Sequence, residues 1–291
     1  MIRKEVVLLY SALTVITLIL LGVFGPTTLL QEPNVTSETV LSDIPYWTIA
    51  IGSASFIIIF PSETIIVLIL GIQIGLLGMF FLKKTQHAPS FWWGIAMVLW
   101  GIGTLLAGAS YQGLGYELKC EGQPYCLFTS WFELSYLYVT ALSICSLAIG
   151  VAKSVLPKDK QRTLVYYGFM SSIMYTGVLI TGTILEIRFL ISYELFTLFF
   201  MPLFLIMFIY NIIYFKKHRD ALNKSLIVAW VLFLFVNVSY YVYYFLGLTQ
   251  MLYQSHNIWF SANDVLHVAL IFWMAYIWLK VKPLVHDVKS L

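Results

Sequence analysis

The sequence predicts an all-α fold: a polytopic transmembrane helix bundle of about eight spans, forming a single integral membrane domain over residues 1–291. Three observations predict it. The chain is 60% apolar and only 11% charged, with mean hydropathy +0.86. A soluble domain carries roughly 25% charged residues, so this chain cannot cover itself with charge and lipid must be its solvent. Its apolar residues fall in runs of membrane-spanning length, about 20 each. Its Lys and Arg residues crowd into alternate loops, as the cytoplasmic loops of membrane proteins do.

Taken in order, the first span runs from about Val6 to Leu29. It is long and has no small-residue cleavage site clearly following it, so it reads as a span rather than a secretory signal. An acidic, turn-rich loop follows with Glu32, Glu38 and Asp43. Tyr46–Phe60 is apolar but too short to cross, and it ends at Pro61. It reads as an extra interfacial or re-entrant helix before the second span, or as the outer extension of a helix bent at the proline. Ser62–Leu82 is a full span closed by Lys83 and Lys84. Further spans are expected from about Phe91 to Ala109, Phe128 to Ala152, Leu164 to Leu185, Tyr193 to Phe215, Leu226 to Leu246 and Trp259 to Leu279.

Charge tests the count. With the N-terminus inside and sides alternating, 15 of the 17 Lys and Arg fall inside, and only Lys119 and Arg188 fall outside. Letting Tyr46–Phe60 cross alone moves Arg3 and Lys4 outside and worsens the split to 13 against 4. Both termini are therefore expected in the cytoplasm and the protein in the cell membrane. The acids show the converse pattern, with Glu63, Glu133, Glu194 and Asp264 each in the first turns of a span entering from outside. No basic run with interleaved aromatics suggests nucleic acid. No nucleotide motif suggests an ATP-driven pump.

Ionisable groups inside a span are costly and by default mark function. Asn263, Asp264 and His267 are spaced to share one side of a helix. Glu63, Glu133, Asp264 and His267 at similar depth would suit one divalent cation as ligands. Glu133, Asp264 and His267 would suit acid–base work on a substrate from the outer leaflet. The plainer readings are helix-dipole capping by first-turn acids and polar ties between helices. Tyr111, Gln112 and Glu117 in the outer loop, with Tyr240 and Asn263, are candidates to contact a ligand at the mouth of an outward-facing pocket. The tyrosines at 240–244 also suit an interfacial belt. Cys120 and Cys126, with five residues between them in that loop, are expected to form a disulfide, while Cys145 is expected to be inert packing.

In its many spans and its Asp264/His267 pair in the last span, the chain resembles intramembrane hydrolases of the alkaline ceramidase and adiponectin-receptor class. Those families hold zinc with three histidines, and here His267 alone lies well inside a span. The resemblance implies metal-assisted hydrolysis of a lipid-like, amphiphilic substrate. The alternatives are a receptor-like or cation- or proton-coupled transport module, and a structural membrane protein without a small ligand. Membrane lipids are the expected surroundings, and the sequence leaves the oligomeric state open.

Overall fold

The computed structural model describes residues 12, 15–23, 35–42, 44–83 and 88–285. The first expected span, Val6–Leu29, lies largely outside the described residues; its described part, 15–23, is helical and is called α1. Seven further helices among the described residues are long and apolar enough to cross a membrane. They are α3 (Pro61–Leu82), α4 (Ala88–Ala107), α6 (Trp131–Val155), α7 (Lys158–Ile184), α8 (Tyr193–His218), α9 (Ala221–Phe245) and α11 (Ala262–Tyr276). A π-helical turn extends α4 to Gly113, and π and 3-10 turns extend α11 to Leu284. Short helices complete the chain: α2 (Ser37–Ser42), α5 (Gly115–Lys119) and α10 (Leu248–His256).

The stretch expected as an extra helix is instead a β-hairpin. β1 (Tyr46–Ile51) pairs antiparallel with β2 (Ala54–Ile59), Ile51 opposite Ala54 and Tyr46 opposite Ile59. The reason is local. The segment is rich in aromatic and β-branched residues, which suit a pleated surface. Gly52, at φ 63°, begins a two-residue turn with Ser53, and two-residue hairpin turns need such a left-handed backbone. Phe60 N donates to Pro45 O at 3.0 Å and closes the hairpin's base. Pro61 then opens α3, where its missing N–H costs nothing.

Helix neighbours run α7, α6, α4, α3, α11, α9, α8, and α8 packs back on α6 to close the bundle. α6 is the hub: 94% of its apolar stretch is buried, against 22% for α9. Small residues let the first members approach closely. A Cβ at Gly101 of α4 would stand 2.8 Å from Gly75 N and 2.9 Å from Gly71 O of α3. Such contacts are how helices associate where lipid removes the hydrophobic drive. Side-chain bonds to backbone carbonyls add ties. Ser143 of α6 donates to Ala96 O at 2.7 Å, Trp273 of α11 to Ala229 O at 2.7 Å, and Gln73 of α3 to Ile271 O at 3.2 Å. Asn211 joins α8 to α9 by donating to Asn223 Oδ1 and accepting from Trp230 Nε1.

Because successive helices alternate in direction, α3, α6, α8 and α11 all begin at one end of the bundle. The hairpin, α5, α10 and a disulfide between Cys120 and Cys126 lie at that end. We call it the disulfide end.

Candidate functional site

The acids at the disulfide end fall into two groups with separate partners. The first lies where α3 and α11 begin. Ser261 caps α11 in a reciprocal box: its hydroxyl accepts from Asp264 N at 3.2 Å, and its own N–H donates to Asp264 Oδ2 at 2.7 Å. This is the ordinary way to satisfy a helix start. It uses one carboxylate oxygen only. Asp264 is fully buried at 0% exposure, and its Oδ1 has no hydrogen-bond partner among the described residues. Glu63, 3% exposed in the first turn of α3, accepts from Trp259 Nε1 at 3.0 Å and lies within Coulombic reach of Asp264. One turn deeper on α11, the enclosed Nδ1 of His267 also lacks a partner among the described residues. Deeper still on the same α3–α11 seam, Gln73 has its Nε2 bonded and its Oε1 unmatched.

The second group is built on α6. Ser130 caps the helix by accepting from Glu133 N at 3.3 Å. Glu133, 2% exposed, forms an ion pair with Lys119 Nζ at 2.8 Å and accepts from Ser110 Oγ at 3.0 Å. The Ser110 and Ser130 hydroxyls bond each other. A cation and a hydroxyl both meet Glu133 Oε1, and its backbone N–H closes the Ser130 cap.

Glu63 and Asp264 thus share one seam, with His267 one turn further along α11, while Glu133, expected to join them, is paired with Lys119. Among the described residues no group of three or more His, Cys, Asp or Glu is arranged to hold a metal ion. The other candidates scatter around the second group. Tyr111 lies beneath Lys119, whose Nζ is 5.5 Å from the ring centroid, and meets Tyr136 edge-on at 6.1 Å. Gln112 is buried in the π-helical turn, its Oε1 without a partner among the described residues. Glu117 accepts from Ile57 N at 2.6 Å and so ties α5 to the hairpin. Its hydrogen bond to Glu121, reinforced by like charge, raises the Glu121 carboxyl above the usual range. Asn263 is half-buried beside Asp264.

Of the tyrosines at 240–244, the one nearest the acid pair is not the one singled out. Tyr240 stacks on Tyr244 at 6.2 Å, whereas Tyr243 is within Coulombic reach of Asp264. The Tyr243 hydroxyl donates to Phe260 O at 2.6 Å. Trp259, Phe60 and Lys119 are further site residues that sequence reasoning did not assign. Lys119 carried a signal, being one of two basic residues expected on the outer side. Trp259 carried none beyond opening the last expected span.

The disulfide group is knit to the rest of its end. Cys126 N donates to Val35 O, the Ser37 hydroxyl to Cys120 O, and Leu127 N to Lys119 O, each at 2.8 Å. Lys119 is thereby held next to a covalent ring. Cys145 is a buried free thiol. No family model matches this chain, and neither a curated protein nor a solved structure does.

Proposed function

We propose that this membrane protein binds the polar head of an amphiphilic molecule at the disulfide end of the α3–α11 seam, with that end facing the outer leaflet. One observation carries the reading: Asp264 is wholly buried, yet one of its carboxylate oxygens is unmatched. A buried acceptor without a donor costs about 1–3 kcal/mol, and more in lipid surroundings. Folding does not tolerate such a cost without a return, and a ligand head that donates to Oδ1 supplies one. Glu63 lies beside the same place, and His267 follows one turn along α11. Glu133 serves structure in this reading, and the ligand head does not reach it.

A second reading, hydrolysis at the same site, is favoured by His267. It follows Asp264 by one turn of α11, and its Nδ1 is likewise unmatched among the described residues. In that reading water attacks an ester or amide carbonyl of the bound molecule, His267 takes the water's proton, and the departing alcohol or amine receives it.

The test is lipid mass spectrometry of the full chain purified into nanodiscs, with the Asp264→Asn and His267→Ala chains beside it. The expected result is one amphiphile class enriched over the bulk lipid and depleted about tenfold in Asp264→Asn, the change that losing a charged hydrogen bond brings. Identical profiles in all three chains would overturn the proposal. Turnover of a long-chain ester or amide, lost in His267→Ala while enrichment persists, would establish the second reading.

A further inference from the structure

Two buried carboxyl groups beside each other, without a cation, leave a site that is short of positive charge. Glu133 shows what the same chain does when an acid is to be silent: it supplies Lys119. Glu63 and Asp264 have no basic partner among the described residues: the Trp259 indole N–H donates to Glu63, the Ser261 backbone N–H donates to Asp264 Oδ2, and the Ser261 and Ser62 side chains lie beside the Asp264 carboxyl. Aromatic rings stand beside them instead. Phe60 stacks on Trp259 at 5.1 Å and 24°, and Tyr253 meets Trp259 edge-on at 5.2 Å and 84°. Tyr243 meets Phe260 edge-on at 6.2 Å and 77°. These residues come from the hairpin's end, α9, α10 and the entry to α11; Trp259 touches Glu63 directly, Tyr243 is within Coulombic reach of Asp264, and Phe60 and Tyr253 pack on Trp259. Ring faces attract cations within about 6 Å of their centres.

We infer that the head group bound here is an organic ammonium, so that the ligand class is a cationic amphiphile: a long-chain amine or a quaternary ammonium lipid. Three features support this over a neutral polyol. The acids have no basic partner among the described residues, the buried Asp264 Oδ1 lacks a donor, and the neighbouring side chains are of the aromatic types that recognise ammonium groups. A compact inorganic cation fits less well, because it asks for several oxygen ligands, and among the described residues no three ligating side chains gather here. The inference rests on the head-group site proposed above and names its ligand class.

The experiment measures binding of four probes to the full chain in nanodiscs by calorimetry: a long-chain alkyltrimethylammonium, the alkanol and the alkyl sulfate of equal chain length, and tetramethylammonium without a chain. The expected order places the alkyltrimethylammonium about tenfold or more above the alkanol, with the sulfate and the chain-free cation weaker than both. Glu63→Gln and Trp259→Leu should each narrow the gap between ammonium and alkanol. Thermal unfolding of each variant and its intact disulfide confirm the fold, and the probe order on the unaltered chain stands whether or not a variant folds. Alkanol binding equal to or tighter than the ammonium, abolished by Asp264→Asn, would overturn the cationic class and leave the head-group site standing. Tetramethylammonium binding as tightly as the long-chain cation would overturn the amphiphile. Binding of none of the four would overturn the inference, and unchanged lipid profiles in the earlier test would then take the site with it.

Discussion

Glu133 and Asp264 are first-turn acids of equal burial put to opposite uses. Both sit behind a capping serine, Ser130 and Ser261, and both leave solvent almost completely. The difference is the partner. Lys119 neutralises Glu133, and removing one member of a buried pair strands the other's charge, typically at about 3–5 kcal/mol. Lys119→Met should therefore destabilise the chain by about 3 kcal/mol in thermal unfolding. Adding Glu133→Gln to it should recover a good part, because the stranded charge goes too. If Lys119→Met is neutral, the pair does not hold this end together. The caps were legible in the sequence as Ser with an acid three residues on. Which acid would find a cation was not, because Lys119 reaches Glu133 only through the fold of the loop between α4 and α6. Glu121 gives a milder case outside the helices. Its carboxyl is held up by the hydrogen bond to Glu117 and by that neighbour's charge. A raised folded value means the bond contributes fully below the ordinary carboxylate range and is lost as pH rises through the raised value. Carbon-detected titration should find Glu121 above that range, and Glu117→Gln should return it to the ordinary value.

At the scale of elements, seven of the expected spans recur as helices, and the hairpin does not recur as the expected helix. The reason is physical. A long apolar run with no breaker has one way to satisfy its backbone in lipid, the helix, so composition alone decides it. A 15-residue apolar run suits a short helix or two strands equally by hydrophobicity, and periodicity does not separate them. The cue was Gly52-Ser53 between two blocks rich in Ile, Phe, Tyr and Trp, a hairpin signature. Glycine also carries the α3–α4 contact, and the same element offers its own control. A Cβ at Gly101 would meet backbone atoms of Gly71 and Gly75 that cannot swing aside. A Cβ at Gly75 would meet nothing within 4 Å. Gly101→Ala should cost about 1–3 kcal/mol, the range for overpacking. Gly75→Ala should be neutral or stabilise by up to about 1 kcal/mol through helix propensity. Equal effects of the two substitutions would show that the close approach of α3 and α4 does not limit stability.

The whole molecule has two unlike ends. The disulfide end gathers the acids, the aromatics and the hairpin, with Lys119 and Arg188 as its basic residues among those described. The opposite end carries Lys83, Lys153, Lys158, Lys160, Arg162, Lys216, Lys217, Arg219, Lys224, Lys280 and Lys282, placed at the last turns of α3, α6 and α8, the first turns of α7 and α9, and the turns that close α11. Neither end was assembled from one part of the sequence; each is the sum of turns that alternate along the chain, and that alternation made the asymmetry readable before any helix was placed. Basic residues near span ends remain on the cytoplasmic side during insertion, so the disulfide end should face outward, where a disulfide also persists. These two arguments are independent, and one experiment tests both. In a Cys145→Ser background, a cysteine at Gln254 in exposed α10 should react with a membrane-impermeant maleimide on intact cells. A cysteine at Lys158, at the start of α7, should react only after the cells are opened. Intact mass with alkylation on the unaltered chain should find Cys145 as the single free thiol. The reverse labelling pattern would turn the molecule over and move the acid pair to the inner leaflet. A head group from the outer leaflet would then have no route to Asp264, and the site proposed at the α3–α11 seam would have to draw its ligand from the cytoplasmic side.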